Sequence, residues 1–462
     1  MKLIDNFLAV LSQSLSPHQI SLAPDTLTTY AQDWSNILTP KASAVIFPES
    51  TEQVAMILKE ASNHAISIVP SGGRTGLSGG AVAQNGEVVL SLERINFIGP
   101  LQETALTLKV GAGAITQAVH EHCEPNGLTW PVDFASKGSS QVGGNIATNA
   151  GGVRVLRYGN TRNWVLGLTA VTMDGTIHHF NGELEKNNTG FDLRQLLIGS
   201  EGTLAVITEA TLKLAPLPRS KLVFFFSLDG FSSAISLFTH ARKKMPNLSA
   251  FECLDRASLD SVVSHFSKPS PVKTPGEVYV LMEIENTPFE EAEAFLSELF
   301  DKNLVLDGVM AQNDREAAHL WQYREGVAES ILAGNRVHQE DVSVPVACLT
   351  EFYSVIQERY RQSLPGFKVF FFGHIGDGNL HIFIPKPAGL ETAEFISKMK
   401  KSDEELFQVL AGFSGSVSAE HGIGILKRHA LHFSRSTAEI ELFRGIKRTF
   451  DPKGLLNPGK VC

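Results

Sequence analysis

Ile66-Ser67-Ile68-Val69-Pro70-Ser71-Gly72-Gly73-Arg74-Thr75-Gly76-Leu77-Ser78-Gly79-Gly80 sets a short apolar strand directly before a glycine-dense loop. A second glycine-dense stretch is Lys137-Gly138-Ser139-Ser140-Gln141-Val142-Gly143-Gly144-Asn145-Ile146-Ala147-Thr148-Asn149-Ala150-Gly151-Gly152. Glycine lets backbone N–H groups converge on an anion and lets the chain approach a flat ligand. The interleaved Ser, Thr and Asn add donors for pyrophosphate and ribose. One such loop alone reads as a tight turn with incidental glycines; two of them after short strands point to a large phosphate-bearing ligand. Neither fits G-x-G-x-x-G opening a helix, so a Rossmann nicotinamide site is poorly supported. G-x-x-x-x-G-K-[ST] is absent, which excludes a P-loop. The pattern predicts a dinucleotide held by loops rather than by a helix terminus.

Outward from these loops, residues 1–38 read as a polar-faced helical arm. Thr51 to Ala61 reads as a helix opening on Thr51 as a capping candidate. Strands and glycine-rich connections dominate to Leu214. Ala215-Pro216-Leu217-Pro218 is the best boundary, since two prolines one residue apart stop both a helix and a central strand. The expected organisation is an arm (1–38), a cofactor domain (39–217), a substrate domain (218–430) and a C-terminal return segment (431–462). In the substrate domain, apolar strands such as Leu222 to Phe226 and Val278 to Glu283 alternate with helical stretches such as Pro288 to Leu299. That predicts an α+β fold with helices covering one face of an antiparallel sheet.

The 462 residues exceed one usual core. Forty basic against forty-nine acidic side chains, a formal charge of −9, argue against nucleic-acid binding. No run reaches the ~20 apolar residues of a membrane span, and Asp5 interrupts the apolar start, so no secretory signal is read. The four cysteines are dispersed with no C-x-x-C, which excludes an encoded iron–sulfur cluster and fits a reducing cytoplasm.

A second signal lies near the C-terminus: Gly373-His374-Ile375-Gly376-Asp377-Gly378-Asn379-Leu380-His381, between the apolar runs Lys368 to Phe372 and Leu380 to Ile384. Asp377-Gly378 predicts a type I′ hairpin turn, with positive φ at both residues, pairing His374 with His381. Asn379 then shares the face of His381. Ser418-Ala419-Glu420-His421-Gly422-Ile423-Gly424 offers a carboxylate beside a third imidazole. Two His and one carboxylate leave coordination positions open, as a working divalent metal requires.

Together these motifs resemble the flavoproteins of the vanillyl-alcohol-oxidase type, with a PCMH-type FAD-binding domain, and within them the D-2-hydroxyacid dehydrogenases. That group includes D-2-hydroxyglutarate and D-lactate dehydrogenases and the glycolate oxidase flavin subunit. The resemblance runs from about residue 40 onward. It rests on Pro70 to Gly80, Gly138 to Gly159, Ile198-Gly199-Ser200-Glu201-Gly202-Thr203-Leu204, the His374 to His381 hairpin, Ala419 to Gly424, and Asp451 to Gly459.

The resemblance implies FAD. It sets Pro70, Gly72, Gly73, Arg74, Thr75, Gly76, Leu77, Ser78 and Gly79, with Gly138, Ser139, Val142, Gly143, Gly144, Asn145, Ala147, Thr148, Asn149, Gly151 and Gly152, around the cofactor. Pro131, Asp133, Arg157, Tyr158 and Gly159 join them, with Glu201, Gly202 and Ile207 on the adenine side and Asn457 near the isoalloxazine ring. Covalent attachment in the wider family uses a His or Cys in the flavin loops; neither loop here has one, so FAD is expected to be non-covalent.

It also implies His374, His381 and Glu420 as ligands of a divalent metal, zinc first, with manganese or cobalt as alternatives. His421 would be the general base, Asn379 a hydrogen-bond donor to substrate oxygen, and Arg324 the grip on a substrate carboxylate. Spacing alone would make Arg324 a helix-surface ion pair with Glu325 or a neighbour. The expected reaction is oxidation of a D-2-hydroxy acid to the 2-oxo acid with hydride transfer to flavin N5. Electrons would pass to an outside carrier, a quinone or an electron-transfer flavoprotein, in the cytoplasm or at the inner membrane, and the oligomer considered is a homodimer. This chain departs from its relatives at Gln339, where a lysine is common, and at Ala328, where threonine is. Both changes weaken a pocket for a second carboxylate. The competing readings are an alkylglycerone-phosphate-synthase-like transferase without net oxidation, and a metal hydrolase that leaves both glycine loops unexplained.

Overall fold

The computed structural model describes residues 2–462. The chain forms two compact units. The first comprises the residues up to Gly152, Gly159–Leu217 and Glu420–Cys462; the second comprises Val153–Tyr158 and Pro218–Ala419. The C-terminal return therefore begins at Glu420 rather than at 431, and a short piece of the expected cofactor domain belongs to the second unit.

In the first unit, helix Thr51–Asn63 carries Val54, Ile57, Leu58 and Ala61 on one buried face, the spacing of an amphipathic helix. Its cap is Ser50, whose side chain accepts from the Gln53 amide. Thr51 instead donates to Thr208 Oγ1 at 2.9 Å. This helix covers a four-stranded sheet ordered Ile20–Ser21, Ala42–Ile46, Glu87–Ser91, Ile68–Ser71, with the last three strands parallel. A five-stranded antiparallel sheet follows, ordered Ile98–Gln102, Thr107–Gly111, Val206–Lys213, Val165–Val171, Ile177–Phe180. The N-terminal residues are not an arm. Helix Lys2–Leu11 buries Phe7 and Leu11 in the core that holds Ile57, Ile68 and Leu90. Its apolar periodicity is core packing.

The second unit is built on a seven-stranded antiparallel sheet. Its order is Asp307–Met310, Lys221–Leu228, Val278–Glu285, Leu248–Asp255, Phe370–Gly373, Asn379–Pro385, Val337–Ser343. Helices cover both faces, not one. Phe225 packs toward Tyr323 of helix Asp314–Leu332, while the adjacent Phe224 packs on Phe295 of helix Phe289–Asp301. Successive strand side chains point to opposite faces, so an unbroken apolar run such as Phe224-Phe225-Phe226 is the mark of a strand buried on both sides.

The histidine hairpin takes a different register from the type I′ expectation. Phe372, not His374, lies opposite His381. His374 begins a wider loop in which its carbonyl accepts from the Asp377 amide (3.1 Å) and the Asn379 amide (3.2 Å). Gly378 has φ +93° whereas Asp377 keeps negative φ, so the two-residue turn cannot form. Gly373, at φ +156°, starts the loop where a Cβ would press on the Asn379 carbonyl.

Phe7→Ala should cost about 3–5 kcal/mol of stability in chemical denaturation, the usual loss for a buried phenylalanine. A change within about 0.5 kcal/mol would mean the first helix is detached from the core in solution.

Candidate active site

In the first unit, strands Ile68–Ser71 and Glu87–Ser91 run in parallel and deliver the first glycine loop. Arg74 takes φ +58° and lays its guanidinium over the Tyr30 ring, 4.1 Å from the centroid. Gly79 donates its amide to Asp33 Oδ2 at 2.7 Å. The second glycine stretch is not wholly a loop, because Val142–Thr148 forms an α-helix. The reason is packing: a Cβ on Gly143 would press on Ala112, so the small residue lets this turn sit on the neighbouring strand. Gly152 is likewise pressed against the Asp133 carbonyl.

Where the two stretches meet, Gly72 faces Gln141 Oε1 and the Gly144 Cα, and a Cβ on Gly73 would overlap the Ser139 carbonyl oxygen. By contrast, a Cβ on Gly144 would meet nothing within 4 Å. Ser71 Oγ, Ser91 Oγ and Gln141 Oε1 are buried here without a hydrogen-bond partner. Buried polar atoms of this kind call for a ligand. Backbone brought close, unpaired polar atoms and open space at Gly144 fit the pyrophosphate part of a dinucleotide.

Other expected cofactor residues have structural duties. Asn145 Nδ2 donates to Thr116 Oγ1 at 2.6 Å, Thr148 caps back onto Gly144, and Asp133 pairs with Lys137 at 2.8 Å. Ile207 is buried in the strand Val206–Lys213. Arg157 and Tyr158 belong to the second unit. Arg157 Nε lies 3.0 Å from Glu285, and the Tyr158 hydroxyl donates to the same carboxylate. Burial, and then this hydrogen bond, push the Tyr158 hydroxyl up to about 12.

The C-terminal part of the first unit is knotted around Glu201. Its carboxylate accepts from the amides of Ile423 (2.7 Å) and Gly424 (2.8 Å). Asn457 Nδ2 donates to the carbonyls of Gly80 and Glu201, while its Oδ1 is buried without a partner. Ser78 Oγ donates to the His421 carbonyl at 2.5 Å, which fixes the backbone that carries this imidazole. Gly422 and Gly424, both at positive φ, are required because a Cβ would press on Glu201 and on the Ser78 carbonyl respectively.

In the second unit, His374 and His381 stand with ring centroids 5.3 Å apart, nearly perpendicular. His374 directs Nδ1 at Glu252, 2.8 and 2.7 Å from its two oxygens. His381 holds Nδ1 3.5 Å from Asp341 Oδ1. Carboxylates behind Nδ1 orient imidazoles so that Nε2 can bind a metal. Asp341 also accepts from Asn379 Nδ2 (2.8 Å) and from the Ala419 amide (3.1 Å), so the residue before Glu420 is pinned to the same carboxylate. The Asn379 amide group is turned with both hydrogens occupied, by Asp341 and the Val342 carbonyl. What it presents is Oδ1, an acceptor, rather than the expected donor.

Arg324 is buried, with Nε donating to Glu252 Oε2 at 2.8 Å and its guanidinium over the Phe372 ring. It is not the helix-surface pair with Glu325 that spacing favours. Burial raises the Glu252 pKa, but the neighbouring His374 and Arg324 more than offset it and hold the carboxyl below its ordinary range. Glu252 and Asp341 were not singled out from sequence. The available signal was an acidic residue inside a strand that is otherwise apolar, as in Phe251-Glu252-Cys253-Leu254, where an uncompensated charge would be costly.

Comparison with known proteins fits this geometry. Residues 42–181 match an FAD binding domain, and residues 217–461 match the C-terminal domain of FAD linked oxidases. The chain belongs to the FAD-linked oxidases. This FAD-linked oxidase is 41% identical to a D-2-hydroxyglutarate dehydrogenase of Stutzerimonas stutzeri, over 98% of this chain and 97% of the relative. It is 43% identical to one of Xanthomonas citri, over 98% and 96%. Among solved structures, 4-ethylphenol oxidase from Gulosibacter chungangensis shares the fold with TM-score 0.76 at 18% identity, covering 100% of this chain and 97% of that one. An alkyldihydroxyacetonephosphate synthase gives 0.74, also at 18%, covering 98% and 85%. The oxidase is thus an FAD-dependent oxidoreductase with an α+β architecture. Among its described residues no helix is long and apolar enough to cross a membrane.

Gly144→Ala separates packing from ligand approach. Alanine should leave the apoprotein as stable or up to about 1 kcal/mol more stable, as for other helical glycines. FAD affinity should fall by about tenfold or more, equivalent to about 1.4 kcal/mol. Unchanged affinity in a fluorescence titration would remove Gly144 from the cofactor surface.

Proposed function

We propose that the enzyme oxidises a D-2-hydroxy acid, D-2-hydroxyglutarate first, to the 2-oxo acid, using FAD held without a covalent bond and a divalent metal on His374, His381 and Glu420. The observation that carries the metal assignment is the carboxylate behind each imidazole, Glu252 at His374 and Asp341 at His381. Glu420 follows Ala419, whose amide is bonded to Asp341, and completes a mixed N/O donor set suited to zinc. When bound, the metal lowers the pKa of a substrate hydroxyl and FAD accepts the hydride.

The remaining work falls to this chain's own groups. His421, with its backbone fixed by Ser78, removes the hydroxyl proton, a task suited to an imidazole near neutral pH. Arg324 receives a substrate carboxylate on the guanidinium N–H groups it does not give to Glu252. Asn379 presents Oδ1, an acceptor, toward the substrate. Electrons leave to an outside carrier, a quinone or an electron-transfer flavoprotein. Full-length similarity to D-2-hydroxyglutarate dehydrogenases supports putting that acid first. A shorter acid such as D-lactate is favoured by one feature: Gln339, two residues before Asp341 on the same strand, is neutral.

Anaerobic flavin bleaching across a panel of D- and L-2-hydroxy acids tests the reading, with D-2-hydroxyglutarate expected to act fastest and L-acids to be inert. No bleaching by any D-acid would overturn it. Acid precipitation should release all the yellow colour, and flavin left on the precipitate would overturn the non-covalent assignment.

Substitution at the metal residues separates two roles. His374→Ala, His381→Ala and Glu420→Ala should lose the metal and turnover yet keep FAD. His421→Asn should keep both and slow flavin reduction by about 10²-fold or more. Full activity of the ligand variants after chelation would sink the metal assignment.

A further inference from the structure

Glu201 is a buried carboxylate to which the proposed chemistry gives no part. It is 9% exposed and takes φ +52°, in the left-handed region that a residue with a side chain rarely adopts. Among the described residues no cation bonds to it. Its charge is held by two backbone amides, Ile423 on one oxygen (2.7 Å) and Gly424 on the other (2.8 Å). Bonds to an ionised oxygen are about twice as strong as neutral ones. A strained backbone and a buried charge in one residue both cost stability, so stability alone does not account for Glu201.

What the carboxylate holds is the chain directly after Glu420 and His421, in the same unit. Residues 420–424 belong to no helix or strand, so no ladder of their own fixes them. A Cβ on Gly422 would sit 2.8 Å from Glu201 Oε1, so the carboxylate bears on the residue that follows the imidazole. Ser78 holds the same stretch from its own side: its Oγ donates to the His421 carbonyl, and its carbonyl accepts from the Ile425 amide at 2.9 Å. Glu201 is itself fixed on both sides. Its amide donates to the Ala147 carbonyl at 2.8 Å, and its carbonyl accepts from Asn457 Nδ2 at 2.7 Å. The resemblance to flavoproteins sets Glu201 on the adenine side of FAD. With each oxygen given to the 420–424 segment, no ligand contact is needed to account for this side chain.

We propose that Glu201 is a positioning residue for the reaction. Its carboxylate fixes the backbone from which Glu420 and His421 project, and so sets the metal ligand and the base without touching metal, substrate or flavin. Two amides on one anchored anion leave the segment little freedom to turn, and a displacement of about 1 Å at a reacting group can cost about 10²-fold in rate. The inference rests on the proposed roles of Glu420 and His421 and adds what places them.

The test uses the FAD-loaded enzyme carrying Glu201→Gln. The carboxamide keeps the size and one acceptor oxygen but turns an NH2 toward the second amide, so one bond to a charged group is lost. Zinc affinity, read by competition with a chelator, should fall by about tenfold or more, the scale of that bond. Anaerobic flavin reduction by D-2-hydroxyglutarate should slow by a similar factor, excess zinc should restore part of the rate, and FAD affinity should be unchanged. Gly422→Ala leaves the carboxylate in place and presses a Cβ on it, so it gives the same reading should the glutamine variant not fold. A loss of FAD affinity with zinc binding and reduction rate unchanged would place Glu201 on the cofactor and overturn the proposal. Unchanged zinc affinity and rate with FAD also unchanged would overturn it, as would a joint loss of FAD, zinc and denaturation midpoint, which would make Glu201 a general prop of the unit. Wild-type enzyme that binds no zinc would defeat the metal reading and leave flavin reduction to judge Glu201. No bleaching by any D-acid would defeat the substrate reading and leave zinc competition, which needs no substrate, to judge it.

Discussion

One buried carboxylate, Asp341, organises the proposed catalytic groups of the second unit. It is 1% exposed and meets His381, the Asn379 amide and the Ala419 backbone at once. Strand pairing sets it directly opposite His381, so the register of Val337–Ser343 against Asn379–Pro385 decides whether these groups converge. A slip by one residue would turn Asp341 to the other face of the sheet. The carboxylate acts through position: it aims one imidazole, fixes one carboxamide and ends the segment from which Glu420 emerges.

Much of this was legible in sequence, but not its geometry. That His374 and His381 come near each other could be read from two apolar runs joined through Asp377-Gly378, though not their pairing, and the shared face of Asn379 and His381 follows from strand alternation. The register could not be read, because the turn depends on Gly373 and on Asp377 keeping negative φ. At Gly373 the backbone lies so close to the Asn379 carbonyl and the Leu380 Cα that a Cβ would not fit, a constraint that the Asp-Gly dipeptide does not carry. Glu252 was hidden for a related reason. It comes from a strand more than a hundred residues earlier, and only tertiary pairing brings it to His374 and Arg324.

The glycines show the same limit. Composition marked both glycine stretches as ligand-binding, yet the individual residues do different things. Gly143 and Gly152 have protein where a side chain would go, whereas Gly144 has open space. The first two are required for packing, and only the last leaves room for something that is not protein. The helix Val142–Thr148 escaped a reading that equated glycine with loop, because close packing on Ala112 outweighs the roughly 1 kcal/mol that each glycine costs a helix.

The sheet of the second unit buries Glu252, Glu283, Glu285 and Asp341, each 1% exposed. Replacing buried ion pairs with apolar side chains is often neutral or stabilising, so stability alone does not account for four of them on one sheet. Glu252 and Asp341 have a positional use behind the two histidines. Glu283 and Glu285 are met by Arg154 and Arg157, with Trp321 Nε1 donating to Glu283 as well. Both arginines come from Val153–Tyr158, the short piece of chain that belongs to this unit although glycine-rich cofactor sequence precedes it. The continuous motif from Asn145 to Gly159 is therefore two structures in succession. Its first part packs against the strands of the FAD-binding unit, and its second part is the counter-charge to two buried carboxylates of the second unit's sheet.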